Sequence, residues 1–240
     1  MFRFKLGVAI GILLVTGTAW SSMIPVSNFS FESPILVSGN AGVTTGGHGL
    51  FAYQDALVPP GITGWTVTSG VSTAGIVQPN TTNPPFTANV VGPVDTGANG
   101  IPNGNQAAFL VNGAMYQDLT PIAGNGFYTA TVDVGRRTDT ASGAYSIILM
   151  TSGGATLAQF NGDISSLASG AWAAETVTYS GNPIPAGQQL VLELTSTTAN
   201  QVDFDNVQVT GAPEVGGPTV FWTMLGVAGF WIYRRKRLVA

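Results

Sequence analysis

Glycine and proline interrupt the interior of this chain so often that no helical pattern can run far. The 240 residues contain 32 Gly and 14 Pro, and both residue types weaken or end helices. The segments between them are rich in Val, Ile, Thr, Tyr and Phe, which favour strands. The sequence therefore predicts an all-β fold, with room for one helical turn between residues 165 and 174.

Eight segments in the second half of the chain have the length and composition of strands. They are residues 107–111, 114–119, 127–134, 144–150, 156–160, 175–180, 189–196 and 202–210. Short strands joined by loops favour a two-sheet sandwich or jelly roll, and no repeat of about 40 to 50 residues indicates a propeller. The segment 39–102 is dense in Gly, Asn, Thr and Pro and is predicted to form long loops with a few short strands.

The last predicted strand shows the clearest alternation of side chains. Successive residues of a strand point to opposite faces of the sheet. One face is predicted to hold Val202, Phe204, Asn206 and Gln208, and the other Asp203, Asp205, Val207 and Val209. This pattern predicts that two carboxylates share a face.

Charge is divided unevenly along the chain. Between residues 6 and 233 the only basic residues are Arg136 and Arg137, against twelve acidic residues, so this interior carries a formal charge of −10. A field of that sign repels phosphate backbones, which excludes nucleic acid as a partner. The arginine pair is interpreted either as a grip on an anionic sugar or as part of a surface ion pair with Asp133 or Asp139.

The amino-acid composition excludes most of the known arrangements of catalytic residues. The absence of Cys excludes cysteine nucleophiles and thiolate zinc sites, and the single histidine, His48, stands in a Gly-rich segment without an evident partner. The sequence has no Gly-x-Ser-x-Gly elbow and no interior Lys for a phosphate loop. Glycoside hydrolysis needs two carboxylates, but no spacing selects a pair among Asp133, Asp163, Glu175 and Glu193. The sequence therefore predicts a protein without catalytic residues.

The N-terminus has the three parts of a secretory signal peptide. Residues 1–5 are basic, residues 6–15 are apolar, and residues 16–22 are mostly small. Residues 1–21 are therefore predicted to be removed on export. Residues 22–211 are predicted to form the β-sandwich domain.

The C-terminus has the order of a membrane segment followed by cations. Residues 215–233 are uncharged and would form a helix of about 28 Å, close to the hydrocarbon core of about 30 Å. The cluster Arg234, Arg235, Lys236 and Arg237 follows directly. Under the positive-inside rule these cations stay cytoplasmic, which predicts a single transmembrane helix with the domain outside.

This tail also carries a short motif ahead of the apolar segment. Pro213 and Glu214 precede the helix, and the basic cluster closes the chain. The three-part order resembles the PEP-CTERM sorting signal of Gram-negative bacteria, although Val215 stands where that family has a second proline. The resemblance implies that residues 212–240 are a sorting tail handled by an exosortase-type membrane enzyme.

Five short motifs in the interior follow one another in a recognisable order. They begin with Asn28 to Glu32 (NFSFE), Gly64-Trp65 and Gly104 to Gln106 (GNQ), and end with Tyr116 to Leu119 (YQDL) and Val202 to Val207 (VDFDNV). This order resembles galactose-binding-like β-sandwiches, including several carbohydrate-binding modules. The resemblance spans residues 28–207 and implies a jelly-roll sandwich.

The same resemblance implies a structural calcium ion. In such sandwiches the first and last strands share a Ca²⁺ held by two carboxylates, which match Glu32 and Asp205 here, with Asp203 as a further ligand from the same face. Ca²⁺ takes six to eight oxygen ligands, so two carboxylates and nearby carbonyls can serve. The other interpretation is that Glu32 and Asp205 are solvated or accept hydrogen bonds from loop amides.

A sugar site of this fold class combines aromatic faces with amide and carboxylate side chains. Trp65 and Tyr116 are the aromatic candidates for the sugar site, with Asn105, Gln106 and Gln117 as polar partners. Tyr128, Tyr145 and Trp172 are further aromatic residues whose other interpretation is the core.

Taken together, these features predict an exported, surface-sorted and non-catalytic sandwich in the cell envelope of a Gram-negative bacterium. Its predicted role is to bind or organise extracellular polysaccharide, and its predicted partners are that polysaccharide, an exosortase-type enzyme and the membrane. Two alternatives stay open: a structural matrix protein with no defined glycan ligand, and a glycan-degrading enzyme.

Overall fold

The fold was analysed in a computed structural model of the chain, which describes residues 21–53, 61–68, 73–87, 90–91, 100–121 and 126–212. The predicted signal peptide lies almost entirely outside these residues. The predicted transmembrane segment 215–233, the sorting motif at Pro213 and Glu214, and the basic cluster 234–237 lie outside them as well. Within the described residues, no helix has the length and apolar character needed to cross a bilayer.

The described residues form a β-sandwich, which confirms the predicted all-β fold. The larger sheet has nine strands in this part of the chain: β1 (Ser22–Ile24), β2 (Thr44–Gly46), β3 (Gly49–Tyr53), β5 (Ala74–Pro79), β6 (Val90–Val91), β7 (Ala107–Leu110), β9 (Phe127–Gly135), β12 (Trp172–Ser180) and β14 (Val202–Ala212). The smaller sheet has five: β4 (Thr66–Val67), β8 (Gly113–Leu119), β10 (Ala144–Thr151), β11 (Thr156–Asp163) and β13 (Leu190–Ser196). A 3₁₀ turn at Ile164–Ser166 lies at the place where one helical turn was predicted.

Strand order explains how residues distant in the sequence meet. The larger sheet runs β2-β3-β5-β7-β14-β9-β12-β6, with β1 paired to β14, and the smaller sheet runs β11-β10-β13-β8-β4. Each of the eight predicted strands of the second half is present, with its ends moved by a few residues. The last strand, β14, lies near the middle of the larger sheet, between β7 and β9.

The main core lies between the two sheets. Alternate residues of β10 (Tyr145, Ile147 and Leu149) pack there against residues of the larger sheet such as Val132 and Phe204. Each of these side chains is at most 2% exposed. Such alternation is typical of a strand with one buried face.

The predicted alternation of β14 is wrong beyond Asp205. Asp205 pairs with Asp133 and Gln208 pairs with Thr131, so β14 has one residue more than β9 in this interval. The extra residue is a β-bulge, and Asn206 adopts the left-handed conformation there, with φ 47°. Because the bulge reverses the alternation, Val207 and Val209 join Val202 and Phe204 in the core.

The outer face of the larger sheet has an apolar cover of its own. A second buried cluster unites Val77, Phe86, Ile101, Ala107, Phe109 and Trp172. The rings of Phe86 and Trp172 lie 4.6 Å apart. A Cβ at Gly135 would lie 2.8 Å from the Trp172 ring, so the indole lies flat against this glycine. Phe86 and Ile101 therefore help to cover a face that antiparallel sheets commonly leave in solvent.

Candidate active site on the outer face of the larger sheet

One row of paired residues crosses the outer face of the larger sheet. Phe109 on β7 pairs with Asp203 on β14, and Asp203 pairs with Gly135 on β9. Gly135 pairs in turn with Trp172 on β12. Residues that pair directly across strands lie on the same face, so the Asp203 carboxylate lies between two aromatic side chains.

Asp203 is fully buried at this position, with 0% exposure. Its Oδ1 accepts a 2.7 Å hydrogen bond from Gln201 Nε2, whereas its Oδ2 has no partner within the described residues. Burial raises the pKa of Asp203 to about 7, although the positive charge of Arg137 acts in the opposite direction. Near neutral pH this side chain is therefore partly a neutral carboxylic acid that can donate a proton.

A short chain of hydrogen bonds leads away from the acid. Arg137 Nη1 donates to Gln201 Oε1 over 3.2 Å. The other two donors of the guanidinium, Nε and Nη2, donate to the two oxygens of Asp139 over 2.8 and 2.7 Å. The hydrogen bond from Arg137 lowers the pKa of Asp139. The predicted ion pair between Arg137 and Asp139 is thus confirmed.

His48 ends this chain of polar groups. Its Nε2 lies 3.5 Å from Asp139 Oδ2, and its Nδ1 lies 3.0 Å from the carbonyl oxygen of Asn83. The expectation that His48 has no partner is therefore wrong. Asn83 is distant from His48 in the sequence, so the residues around His48 do not indicate this contact.

A cavity of about 250 Å³ is lined in part by residues of this polar chain. Three aromatic residues, Phe51, Tyr53 and Phe109, contribute to its wall. The Tyr53 ring stands edge-on to both Phe51 and Phe109, with centroid distances of 6.4 and 5.5 Å. The polar part of the wall comes from His48, Arg137 and Gln201.

Asp203 does not line the cavity itself but neighbours two residues that do. Phe109 is its cross-strand partner and Gln201 its hydrogen-bond donor, and both side chains line the cavity. Sequence reasoning did not select the wall, because Phe51 and Tyr53 belong to the segment 39–102 that was predicted to be mostly loop. Their spacing of two residues, on strand β3, is the local feature that indicates a shared face.

Glu32 and Asp205 form a second acidic site, two residues further along β14. Glu32 Oε1 accepts hydrogen bonds from the backbone N–H groups of Asn105 and Gln106, at 2.6 and 2.7 Å. Asp205 Oδ2 accepts one from the N–H of Asn103 at 2.7 Å. A Cβ at Gly104 would overlap the Glu32 carboxylate. The loop 103–106 therefore wraps closely around both predicted calcium ligands, and both accept hydrogen bonds from its amides, as the other interpretation of these carboxylates predicted.

This acidic site has an unpaired oxygen that a cation would suit. Asp205 is 0% exposed, and its Oδ1 has no hydrogen-bond partner in the described part of the chain. Burial raises the pKa of Asp205, and the nearby carboxylates of Asp133 and Glu32 raise it further. A divalent cation offsets repulsion of this kind, and carboxylate oxygens are the ligands that Ca²⁺ prefers.

Asp203 does not join this site, which corrects the predicted set of three carboxylates. The charges that act on Asp203 are those of Arg137 and Asp139, whereas Asp205 interacts with Asp133 and Glu32. Across the described residues, no three His, Cys, Asp or Glu side chains are grouped as a metal site. Asp203 and Asp205 do lie on the same face of β14, as predicted. A spacing of two residues along a strand, however, separates their carboxylates by about 7 Å.

The predicted sugar-binding residues contact the chain's own backbone. The Gln106 amide accepts from the N–H of Leu36 and donates to the carbonyls of Phe31 and Pro34. Trp65 is only 6% exposed, with its ring 5.3 Å from that of Phe31. These contacts hold the segment 27–36 against the sandwich.

The remaining predicted sugar-binding residues are spread over different surroundings. Gln117 exchanges hydrogen bonds with the backbone of Ser27 and donates to the carbonyl of Gly64. Asn105 is exposed, and Tyr116 is half-buried on β8 of the smaller sheet. A sugar-binding role for these residues stays a prediction.

The buried Asp203 and the neighbouring cavity with its three aromatic residues are the candidate functional site of this β-sandwich. The sequence profile of the HpiC1-like family, described as HpiC1 cyclase, matches residues 22–210. The chain therefore belongs to the HpiC1-like family. No protein of curated function matches the sequence.

Solved structures of the same fold include a cyclase from Fischerella sp. TAU. It has 20% sequence identity and a TM-score of 0.54, and the match covers 81% of this chain and 98% of that chain. The CBM22-1 xylan-binding domain of Paenibacillus barcinonensis Xyn10C is more distant, with 14% identity, a TM-score of 0.40 and coverage of 64% and 88%.

The prediction of a non-catalytic protein is wrong, because the family that contains residues 22–210 is one of cyclases. The sequence lacks the usual constellations of nucleophiles, histidines and metal ligands. A single buried carboxylic acid needs none of these partners to act as a proton donor, and its burial is not visible in the sequence.

Proposed function

We propose that this protein is a cyclase that binds a largely apolar, unsaturated substrate against the aromatic wall and starts ring closure with a proton from Asp203. The observation that carries the proposal is the fully buried Asp203, with its unpaired Oδ2, whose neighbours Phe109 and Gln201 line a cavity together with Phe51 and Tyr53. Membership of the HpiC1-like family supports the reaction class.

The aromatic wall suits the positive charge that develops on the substrate during such a ring closure. Aromatic faces attract a nearby cation, and Phe51, Tyr53 and Phe109 supply three such rings to the wall. The edge-on packing of Tyr53 against Phe51 and Phe109 fixes the three rings relative to one another. A folded substrate chain placed against these rings is held in a reactive conformation.

The reaction balances without a cofactor or an oxidant. The Asp203 carboxylic acid transfers its proton to an electron-rich atom of the substrate, and the electron pair of an alkene forms the ring bond to the cationic carbon. A proton then leaves the carbon beside the new cation and returns to the Asp203 carboxylate. The product is an isomer of the substrate, and the acid is regenerated.

Access to Oδ2 requires one side chain of the wall to move. Gln201 both lines the cavity and donates to Asp203 Oδ1. In this proposal a rotation of Gln201 opens the wall on substrate binding. The cavity itself is formed by strands and by a glycine-rich turn at Gly46–Gly49, so the rest of the wall stays in place.

The proposal is tested with citronellal as a probe, since this apolar aldehyde closes to isopulegol under acid catalysis alone. We expect the full chain to form isopulegol at least about 100-fold faster than Asp203→Asn, because general acid catalysis contributes that much or more. Asp118→Asn, a change at an exposed position on β8, serves as the matched control. Equal rates for the protein and Asp203→Asn would contradict the assignment.

We also propose that Glu32 and Asp205 hold a structural Ca²⁺, separate from the acid. The unpaired Oδ1 of Asp205 and the loop 103–106 around Glu32 support this assignment. The ion would join the loop before β7 to strand β14, and it takes no part in the chemistry. Its removal is therefore expected to act on stability first.

A further inference from the structure

We infer that the substrate carries a neutral hydrogen-bond acceptor, such as a carbonyl oxygen, which Arg137 binds at the polar part of the cavity wall. The acceptor takes the place of Gln201 Oε1 when the wall opens. This inference rests on the proposed function, in which Gln201 rotates on substrate binding. It narrows the substrate class to apolar, unsaturated chains that also carry one polar group of this kind.

The Arg137 guanidinium has more donors than partners. Within the described residues Nε and Nη2 donate to Asp139, and Nη1 donates to Gln201. Each Nη nitrogen carries two hydrogens, so one N–H of Nη1 and one of Nη2 have no partner in the described part of the chain. The side chain is only 14% exposed, which leaves water little access to these groups. Since buried donors without partners cost free energy, the site favours a ligand that accepts.

The acceptors close to Arg137 already receive hydrogen bonds. Both oxygens of Asp139 accept from the guanidinium, and so does Gln201 Oε1. The amide nitrogen of Gln201 is itself a donor, to Asp203. Arg137 and Gln201 both line the cavity. Their spare groups are therefore hydrogens, and the complementary group on a ligand is an acceptor.

Rotation of Gln201 adds to this need. When Gln201 turns away, Arg137 Nη1 loses the 3.2 Å hydrogen bond to its Oε1. Both side chains belong to the cavity wall, so the lost acceptor is replaced from the cavity side. An acceptor atom of the substrate restores the hydrogen bond and offsets the free-energy cost of moving Gln201. A pure hydrocarbon cannot do so, and it therefore opens the wall less readily.

The surrounding charge favours a neutral acceptor over an anion. Asp139 already binds the Arg137 guanidinium through two hydrogen bonds of 2.8 and 2.7 Å, so the cation has its counter-ion. The chain between residues 6 and 233 has a formal charge of −10, and a second anion beside Asp139 would be repelled. A carbonyl oxygen accepts strongly from a cationic donor. Its second lone pair stays available for the proton that starts ring closure.

The test compares how tightly the full chain binds three small molecules of nearly the same shape. They are methyl isohexyl ketone, the alkane in which a CH–CH₃ group replaces the carbonyl, and isoheptanoate, in which a carboxylate replaces the acetyl group. None of them has an alkene, so none can cyclise, and binding is measured apart from catalysis. The Kd values are obtained from ¹H–¹⁵N NMR titrations at neutral pH.

The unmodified protein is expected to bind the ketone at least about 10-fold more tightly than the alkane, because a hydrogen bond from a charged donor contributes that much or more. Without a donor the order reverses, since a carbonyl is costlier to bury than a methyl group. Arg137→Met is therefore expected to lose the ketone preference. Asp118→Asn, at an exposed position on β8, is the matched control and keeps it.

A second variant tests the exchange with Gln201. Gln201→Leu keeps a side chain of similar size but removes the acceptor that competes for Arg137 Nη1. The ketone preference over the alkane is expected to rise about twofold or more in this variant. An unchanged or smaller preference overturns the inference, also in the case that Arg137→Met does not fold.

The outcomes separate this inference from the proposed function. Equal binding of ketone and alkane, or tighter binding of the alkane or of isoheptanoate than of the ketone, overturns the neutral acceptor while the Asp203 acid stands. Equal rates of citronellal closure in the protein and in Asp203→Asn overturn the acid and leave the ketone preference unaffected. Binding of none of the three molecules overturns both, because the cavity then takes no ligand of this class.

Discussion

Replacing Asp203 with Asn will stabilise the protein at pH 8 and change its stability little at pH 4. In the folded state burial raises the pKa of Asp203 from 3.8 to about 7. A carboxyl with a raised pKa contributes stability below its unfolded pKa, and that contribution is lost as the pH rises through the folded value. Asparagine has no charge to lose, so the variant avoids the loss.

The size of the effect follows from the same linkage. The folded and unfolded pKa values of Asp203 differ by about 3 units, and one unit corresponds to about 1.4 kcal/mol, so the gap between the two proteins at pH 8 is expected to be about 4 kcal/mol. Denaturant unfolding at several pH values measures the difference in free energy of unfolding between the two proteins. Asp133 and Asp205 titrate in both proteins, so their contributions cancel in this difference. Asp118→Asn is the control and should follow the unmodified protein throughout. Equal stability at pH 8, or a gap that opens towards acid pH, would contradict a buried neutral acid.

Chelation of calcium is expected to lower the melting temperature of the full chain by about 10 °C. A ligand present at about 1,000 times its Kd stabilises the folded state by about 4 kcal/mol, and each kcal/mol moves the melting temperature of a domain of this size by about 2–4 °C. Glu32→Gln and Asp205→Asn remove ligand oxygens, so both variants should melt at the same temperature with and without EDTA.

Two controls make this test specific. Asp203→Asn should keep the full response to EDTA, because Asp203 lies with Arg137 and Gln201 rather than with Glu32. Asp205→Asn should change sign with calcium. It destabilises when calcium is present, and it stabilises in EDTA at pH 8, where burial and like charges disfavour the ionised Asp205. A melting temperature that EDTA does not move would rule out the calcium site.

The sequence was sufficient to predict the β-sandwich and most of its second half. Strand-like length and composition identified β10 and β13. Alternation, used for β14, failed past Asp205, since a bulge adds a residue without any local break in composition. Asn206 is the one hint, because Asn tolerates the left-handed conformation that such a bulge requires.

The candidate active site could be predicted only in part. Asp203 was selected, but as a calcium ligand, because its partners come from Gln201 beside it and from the turn after β9. The aromatic wall joins β3, β5 and β7, and no spacing in the sequence reveals which distant strands pair. Burial raises the pKa of Asp203. That burial depends on which distant strands pair in the larger sheet.

The measurement that tests the central claim most directly is the pH titration of the Asp203 carboxyl in the unmodified full chain, followed by ¹³C NMR. The proposed cyclase needs a proton donor near neutral pH, so the account predicts a midpoint of about 7. A midpoint near the ordinary aspartate value of about 4 would contradict it, because Asp203 would then be ionised and unable to start the reaction.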